Sequence, residues 1–341
     1  NRERIAGYRC YKSIDELPGP PDAAFIGVNK NKTIEIIREL EKIGCGGATC
    51  FASGFSETGP LGEKLQKKML EAAREMPFLG PNCYGYLNYL DHIYMWPDQH
   101  GGRTVKSGVA IIAQSSNIAI NLTMQSRSTP IAYVLTSGNQ AKLDIADLGF
   151  AMIEDPRVTA IGFYIEGIKD LRKFERMSQL ALKMNKPIIA LKSGKTNSSR
   201  SQSFSHTASI TGNSDISNAF LERLGIVEVN DLDVFLESLK VFHIAGRMKN
   251  SSVISVSCSG GEASLVSDFS ILTSLKFPKF STKKSRQISQ ILGDMVEISN
   301  PFDYHTFIWG DTERMVKLFT TICQKTRSLV IFVLDIPRND R

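Results

Sequence analysis

His206 is the residue on which a reaction could turn. It closes a long polar stretch that opens at Lys192-Ser193-Gly194-Lys195-Thr196, runs through serines and Arg200, and reaches Ser205-His206-Thr207 and then Gly212. An imidazole nitrogen is a nucleophile near neutral pH, and lysine, arginine and hydroxyl groups around it suit a phosphate. The stretch is therefore read as a basic loop that carries His206 to a phosphate. Long loops in compact domains are either functional or disordered, so composition leaves a second reading open: a Ser-rich loop with an incidental histidine.

Two further groups fit such chemistry. Glu166 ends a run whose other members, Ile161, Phe163 and Ile165, are apolar. A carboxylate there could bond one ring nitrogen, fix the tautomer and leave the other nitrogen free to attack; the plain alternative is a surface glutamate at a strand end. Ser115-Ser116-Asn117 precedes a helical pattern containing Ile118, Ile120 and Leu122. The unpaired N–H groups of a helix start suit an anion, although the same residues also read as an ordinary N-cap.

Other chemistries fail on spacing. Ser205 adjoins His206, which does not give triad attack geometry, and no Gly-x-Ser-x-Gly elbow is present. His92, His100, His243 and His305 show no metal-ligand spacing, so no metal site is expected. Gly194-Lys195-Thr196 has Ile189 and Ala190 upstream where a P-loop needs glycine. No Gly-x-Gly-x-x-Gly stretch supports an NAD(P) oxidoreductase.

The elements that must hold these residues alternate as strand and helix. Ala23 to Asn29 reads as a strand, followed by a helix with Ile34, Ile37 and Leu40 on one face and Thr33 as its cap. Gly46 to Ala52 is the next strand, and a helix from about Glu63 to Glu75 turns Leu65, Met69 and Ala72 inward. Phe78-Leu79 leads into Pro81-Asn82-Cys83-Tyr84-Gly85, and Tyr89 to Lys106 reads as a linker. Strands then follow at Val109 to Ala113, Ile131 to Thr136, Val158 to Ile165 and Pro187 to Leu191, with helices between them. A third unit repeats the plan from Val253-Ile254-Ser255-Val256-Ser257 to a strand at Leu329 to Leu334. Such alternation implies parallel sheets with right-handed crossovers and ligands at the strands' C-terminal ends. The expected fold class is α/β: a truncated Rossmann-like domain over residues 1–103, a flavodoxin-like domain over 104–246 and a second over 247–341.

Bulk composition narrows the partners. The 341 residues are 42% hydrophobic and 22% charged, ordinary for a globular protein. A net charge of +6, from 41 basic and 35 acidic residues, suits an anionic ligand. No aromatic-and-basic stripe of the single-strand binders appears, so nucleic acid is not expected. Six cysteines lack any Cys-x-x-Cys pair, the usage of a reduced, cytoplasmic protein. No apolar run reaches ~18 residues and no signal peptide is visible, so no membrane association is expected.

Several motifs, in order and spacing together, resemble one family over essentially the whole chain: Gly80-Pro81-Asn82-Cys83-Tyr84-Gly85, Gln114-Ser115-Ser116, Ser137-Gly138-Asn139-Gln140-Ala141, Glu166-Gly167-Ile168-Lys169-Asp170, Lys192-Ser193-Gly194-Lys195-Thr196 and Ser205-His206-Thr207-Ala208. The chain is similar to the NDP-forming acyl-CoA synthetases, relatives of the succinyl-CoA synthetase alpha subunit. The resemblance implies that His206 takes the phosphoryl group and Glu166 steadies the phosphohistidine. It places Ser115, Ser116 and Asn117 at the phosphate, with Lys195 and Arg200 offsetting its charge. Val28, Asn29, Lys30, Ser53, Gly54, Phe55, Asn82 and Cys83 would line CoA, and His206 would travel between two sites. The implied reaction joins a small carboxylic acid to CoA at the expense of ATP or GTP, with Mg2+, through acyl phosphate and phosphohistidine. The nucleotide would bind an ATP-grasp domain or subunit expected beyond this chain, in a homo-oligomer. The chain opens on Asn1, and the family's first strand and Gly-rich turn are expected ahead of it.

Asn139, Tyr304 and Trp309 are candidates for the acyl group, the last two in the aromatic segment Tyr304-His305-Thr306-Phe307-Ile308-Trp309. That segment also reads as third-domain core plus an interface. A cation–π contact there would favour a cationic or aromatic acid, and an ATP-dependent lyase of dimethylsulfoniopropionate belongs to the same superfamily. Two departures stand out: Ala208 and Ser116 replace glycines usual in the family, and Ser116 adds a side chain where phosphate would approach. A non-catalytic CoA-sensing module, as in some protein acetyltransferases, is the alternative; such modules have typically lost the histidine that His206 retains.

Overall fold

The computed structural model describes residues 3–195, 214–248, 250–293 and 296–334. The chain forms two compact units, Asn1–Arg247 and Met248–Arg341.

In the first unit a three-stranded parallel sheet runs in the order Ala24–Ile26, Ala48–Cys50, Phe78–Leu79. Helices Lys30–Lys42 and Pro60–Ala73 make its crossovers. Ile34, Ile37 and Leu40 are buried along the first helix, and Met69 and Ala72 along the second, as the helical spacing predicts. The first helix begins a turn earlier than Thr33 suggested. Asn29 is the cap, accepting the Lys32 N–H, while the buried Thr33 hydroxyl donates to the carbonyls of Val28 and Asn29. Pro60 opens the second helix, where its missing N–H costs nothing.

The larger sheet has seven strands, in the order Val227–Val229, Ile188–Lys192, Val158–Ile165, Gly108–Ala113, Ile131–Thr136, Tyr86–Asn88, Ile93–Met95. The first five are parallel, and numbered along the chain they give 2-1-3-4-5, the flavodoxin-like order. All of Gly108–Ala113 is buried, as expected of a central strand covered on both faces. Helices Ser116–Met124 and Leu232–Ala245 cover one face through Ala119, Leu122, Phe235 and Leu239. Ile145–Glu154 and Leu171–Lys183 cover the other through Ile145, Met152, Phe174 and Met177. Gly162 admits the first layer: a Cβ there would lie 2.5 Å from the Phe235 ring.

The stretch expected to be a linker is built into this sheet instead. Ile93–Met95 pairs antiparallel with Tyr86–Asn88, which pairs antiparallel with Ile131–Thr136. Tyr89 is fully buried, with its hydroxyl 3.1 Å from Nδ1 of His100. The irregular apolar spacing that hid this strand reflects its short length and position at the sheet edge.

The second unit has a parallel sheet in the order Phe302–Asp303, Val253–Ser257, Leu329–Phe332. Helices Gly260–Ser270, Thr282–Leu292 and Thr312–Cys323 accompany it. Its core gathers Val256, Ile288, Phe302, Tyr304, Ile308 and Leu318.

Among the described residues no helix is long and apolar enough to cross a membrane.

Candidate active site

The loops that leave the parallel strands of the first unit converge on one cleft of about 1230 Å³. From the smaller sheet come Val28, Asn29 and Lys30, then Ser53, then Asn82 and Cys83. From the larger sheet come Ser115, Ser116 and Asn117, then Asn139, Glu166 and Gly194. Each group follows the C-terminal end of a parallel strand, where α/β sheets bind ligands.

A helix start lines this cleft. Ser115 caps Ser116–Met124, accepting the Ile118 N–H at 3.5 Å, and the first turn holds no acidic residue. The unpaired N–H groups beyond the cap carry the positive end of the helix dipole. The Ser116 side chain points across the cleft, where its hydroxyl oxygen accepts the Tyr84 N–H at 3.1 Å. The side chain expected to crowd a phosphate is thus engaged by the loop of the smaller sheet.

Glu166 stands one residue past Val158–Ile165, half-buried, at the point where the strand order reverses. Its backbone N–H donates to Gln114 Oε1, and its carbonyl accepts from Lys192 Nζ at 3.3 Å. Gln114 also accepts the Gly167 N–H at 2.9 Å and donates Nε2–H to the Gly167 carbonyl at 2.9 Å. Lys192 is buried, and its ammonium also donates to the Ser193 carbonyl at 2.9 Å. Burial pushes the Tyr164 phenol up; the neighbouring Ser193 hydroxyl offsets part of the rise and the charge of Glu166 adds to it.

Asn139 joins the two sheets. Its Nδ2 donates to Glu57, whose carboxylate also accepts the N–H groups of Gly54 at 2.6 Å and Phe55 at 3.1 Å. Beside it, Gly138 has φ +51°, and a Cβ would lie 2.3 Å from the Pro81 carbonyl, so the loops meet backbone to backbone. Cys83 is buried in this junction, and burial pushes its thiol up to about 12.

The remaining sequence candidates fall elsewhere. Phe55 is fully buried in the core of the smaller sheet. Gly54 does not line the cleft, but a Cβ there would meet Lys30 Cδ at 2.8 Å, so the lysine stem passes over it. Lys195 is paired with Glu228 at 2.6 Å and bonded to Asn230 at 2.8 Å. Tyr304 belongs to the core of the second unit, edge-on to Phe319, and its hydroxyl accepts from Nε1 of half-exposed Trp309 at 3.4 Å. His206 and Arg200 lie outside the described residues.

Sequence reasoning assigned no role to Gln114, Glu57, Lys192 or Tyr164. A signal existed for Gln114, a polar residue directly after an unbroken apolar strand. Lys192 carried a similar one.

Among the described residues, no cluster of three or more His, Cys, Asp or Glu is placed to hold a metal ion. Residues 1–89 match the family model of the CoA binding domain, and residues 106–242 that of the succinyl-CoA ligase like flavodoxin domain. The alpha subunit of ADP-forming acetate–CoA ligase II from Pyrococcus furiosus is 31% identical over 308 residues, covering 88% of this chain and 66% of the relative. ADP-forming acetate–CoA ligase II from Archaeoglobus fulgidus is 30% identical over 92% of this chain and 46% of its own length. The chain thus spans only part of each relative. The dinucleotide forming acetyl-coenzyme A synthetase 1 of Ca. Korarchaeum cryptofilum, solved with phosphate and ADP, matches with a TM-score of 0.84 at 25% identity. That match covers 97% of this chain and 72% of that one. With both domain models matched and a relative 31% identical over 88% of its residues, the chain belongs to the NDP-forming acyl-CoA synthetases, the family of the ADP-forming acetate–CoA ligases.

Proposed function

We propose that this chain is the CoA-binding and phosphoryl-relay portion of an acid–CoA ligase. The whole enzyme would convert a small carboxylic acid, CoA and ATP or GTP into acyl-CoA, NDP and phosphate, through acyl phosphate and phospho-His206. One observation carries the reading: a single cleft holds an anion-ready helix start at Ser115, a carboxylate at Glu166, and the strand-end loops of a CoA-binding domain. Its volume exceeds the ~300–1,000 Å³ of ordinary small-molecule pockets, as a ligand of CoA's length beside a phosphate requires.

In this reading Ser115, Ser116 and Asn117 bind phosphate through main-chain N–H groups. Glu166 accepts a proton-bearing ring nitrogen of His206 and leaves the other to take the phosphoryl group. Val28, Asn29, Lys30, Ser53, Asn82 and Cys83 form the wall along CoA. Splitting the transfer at a histidine lets the nucleotide and its Mg2+ sit in an ATP-grasp domain or subunit away from the acyl site.

The test is labelling of the full-length protein with γ-labelled ATP and Mg2+, together with its nucleotide-binding part. An acid-labile phosphohistidine that forms in the wild type and is absent from His206→Ala is expected. Undiminished label in His206→Ala sinks the relay. CoA binding without thioester formation across an acid screen, including acetate, aromatic acids and dimethylsulfoniopropionate, would favour a CoA-sensing module instead.

A further inference from the structure

The backbone ladder between Gly108–Ala113 and Val158–Ile165 pairs Ala113 with Tyr164, and Gln114 N–H still reaches the Tyr164 carbonyl at 3.2 Å. Beyond that point the chains part toward different loops. The Gln114 side chain takes over where the backbone leaves off. Its oxygen accepts the N–H groups of both Glu166 and Gly167, and its nitrogen donates to the Gly167 carbonyl. One buried amide therefore acts as an extra peptide unit of the sheet. Its orientation follows from its partners: reversed, it would set donor against two donors and acceptor against a carbonyl.

Two consequences meet at the cleft. The peptide groups on both sides of Glu166 are held, one by Gln114 and the other by Lys192, so the backbone from which the carboxyl projects is fixed. Gln114 also immediately precedes Ser115, the cap of the helix start. The residue that holds the carboxylate and the residue that opens the anion site are thus neighbours in the chain.

We infer that Gln114 is a positioning residue that sets Glu166 in register with the helix start at Ser115. This rests on the reading of Glu166 and His206 given above. A group that must meet a carboxylate at one end and a helix N-terminus at the other is sensitive to their spacing, and misplacement by about 1 Å costs on the order of 100-fold in rate. Gln114 touches no reacting atom in this scheme and acts through the main chain of residues 166 and 167.

The experiment is a double-mutant cycle in the full-length protein, read as turnover, KM for CoA and melting temperature for Gln114→Met, Glu166→Gln and the pair. Gln114→Met is expected to lower kcat by about tenfold or more with KM for CoA changed less than about twofold. Added to Glu166→Gln, it should cost less than about threefold further, because the group it positions is already disabled. If Gln114→Met does not stay folded at the assay temperature, Gln114→Asn, which keeps a neutral amide but withdraws it by one methylene from the main chain of residues 166 and 167, is run in its place with the same coupling expected. Multiplying losses, or a rise in KM with unchanged kcat, overturns the inference while the proposed reaction stands. Full turnover in Glu166→Gln overturns the role of Glu166 itself, and the inference with it.

Discussion

Tyr84 donates its backbone N–H to the hydroxyl oxygen of Ser116 at 3.1 Å, so a loop of the three-stranded sheet is tied to the first turn of a helix on the seven-stranded sheet. The bond makes the two walls of the cleft mechanically continuous at the start of Ser116–Met124.

Ser116→Ala removes that acceptor and leaves the Tyr84 N–H to find water. A stability loss of about 1 kcal/mol is expected, measured by urea denaturation of the two proteins. Ser116→Gly, the residue usual in the resembled family, should lose slightly more, since glycine adds backbone entropy to the unfolded chain. A neutral result for both would mean that the bond contributes nothing in solution.

A second tie can be broken by charge. Asn139→Asp would set a carboxylate against Glu57 in a half-buried junction, so one of the two must bind a proton or both must separate. A loss of roughly 2 kcal/mol is expected. Adding Glu57→Gln restores a donor–acceptor pair and should recover part of the melting temperature. If the second change deepens the loss, the contact is not what holds the loops together.

Protein stability should have identifiable acid and alkaline limbs. Arg157 hydrogen-bonds Asp155 and holds its carboxyl down at about 2, while burial pushes the Tyr133 phenol, which donates to Asp155, up to about 12. A depressed carboxyl stabilises the fold above its unfolded value of about 3.9, and that contribution fades as pH falls from there through about 2. A raised phenol stabilises below its unfolded value of about 10, and its share is lost as pH rises through about 12. Melting curves against pH should show Arg157→Met flattening the acid limb and Tyr133→Phe the alkaline one. Parallel curves for wild type and variants would remove the cluster from the account.

Thiol labelling gives a direct check on the cleft. Cys83 lines it yet is buried, and burial holds the thiol at about 12; burial raises Cys50 too. Iodoacetamide at pH 8 should modify exposed Cys323 first and leave Cys83 and Cys50 untouched until denaturant is added. Native-state modification of Cys83, located by peptide mass, would contradict the packing.

Long, strongly patterned segments were legible from residues alone. Ile131–Thr136 and Val253–Ser257 have the bounds that their apolar runs suggest, and Ile34, Ile37 and Leu40 face inward as spaced. The grouping of Ser115, Asn139 and Glu166 also followed, because strand ends of one parallel sheet share an edge. Other features depended on partners far along the chain. Nothing near Tyr86–Asn88 announces that it pairs with Ile131–Thr136, since register across more than forty residues is decided by packing. Phe55, which the resemblance places along CoA, is fully buried in the smaller sheet's core, where a large apolar ring is more stable. Lys195, expected to offset phosphate charge, is paired with Glu228 on Val227–Val229, a strand that the sequence around the lysine does not announce.

The antiparallel strand Tyr86–Asn88 has a consequence for anyone who would dissect this protein. It leaves the smaller sheet's loops only to become a structural member of the larger one. Severed between 103 and 104, the downstream fragment would present Ile131–Thr136 as a bare edge, a template for unwanted pairing between molecules. The upstream fragment would carry a hairpin with nothing to lie against. The seam along which the first unit can be cut is therefore not between 103 and 104 but before Tyr86, where a cut leaves the hairpin on the sheet that it completes.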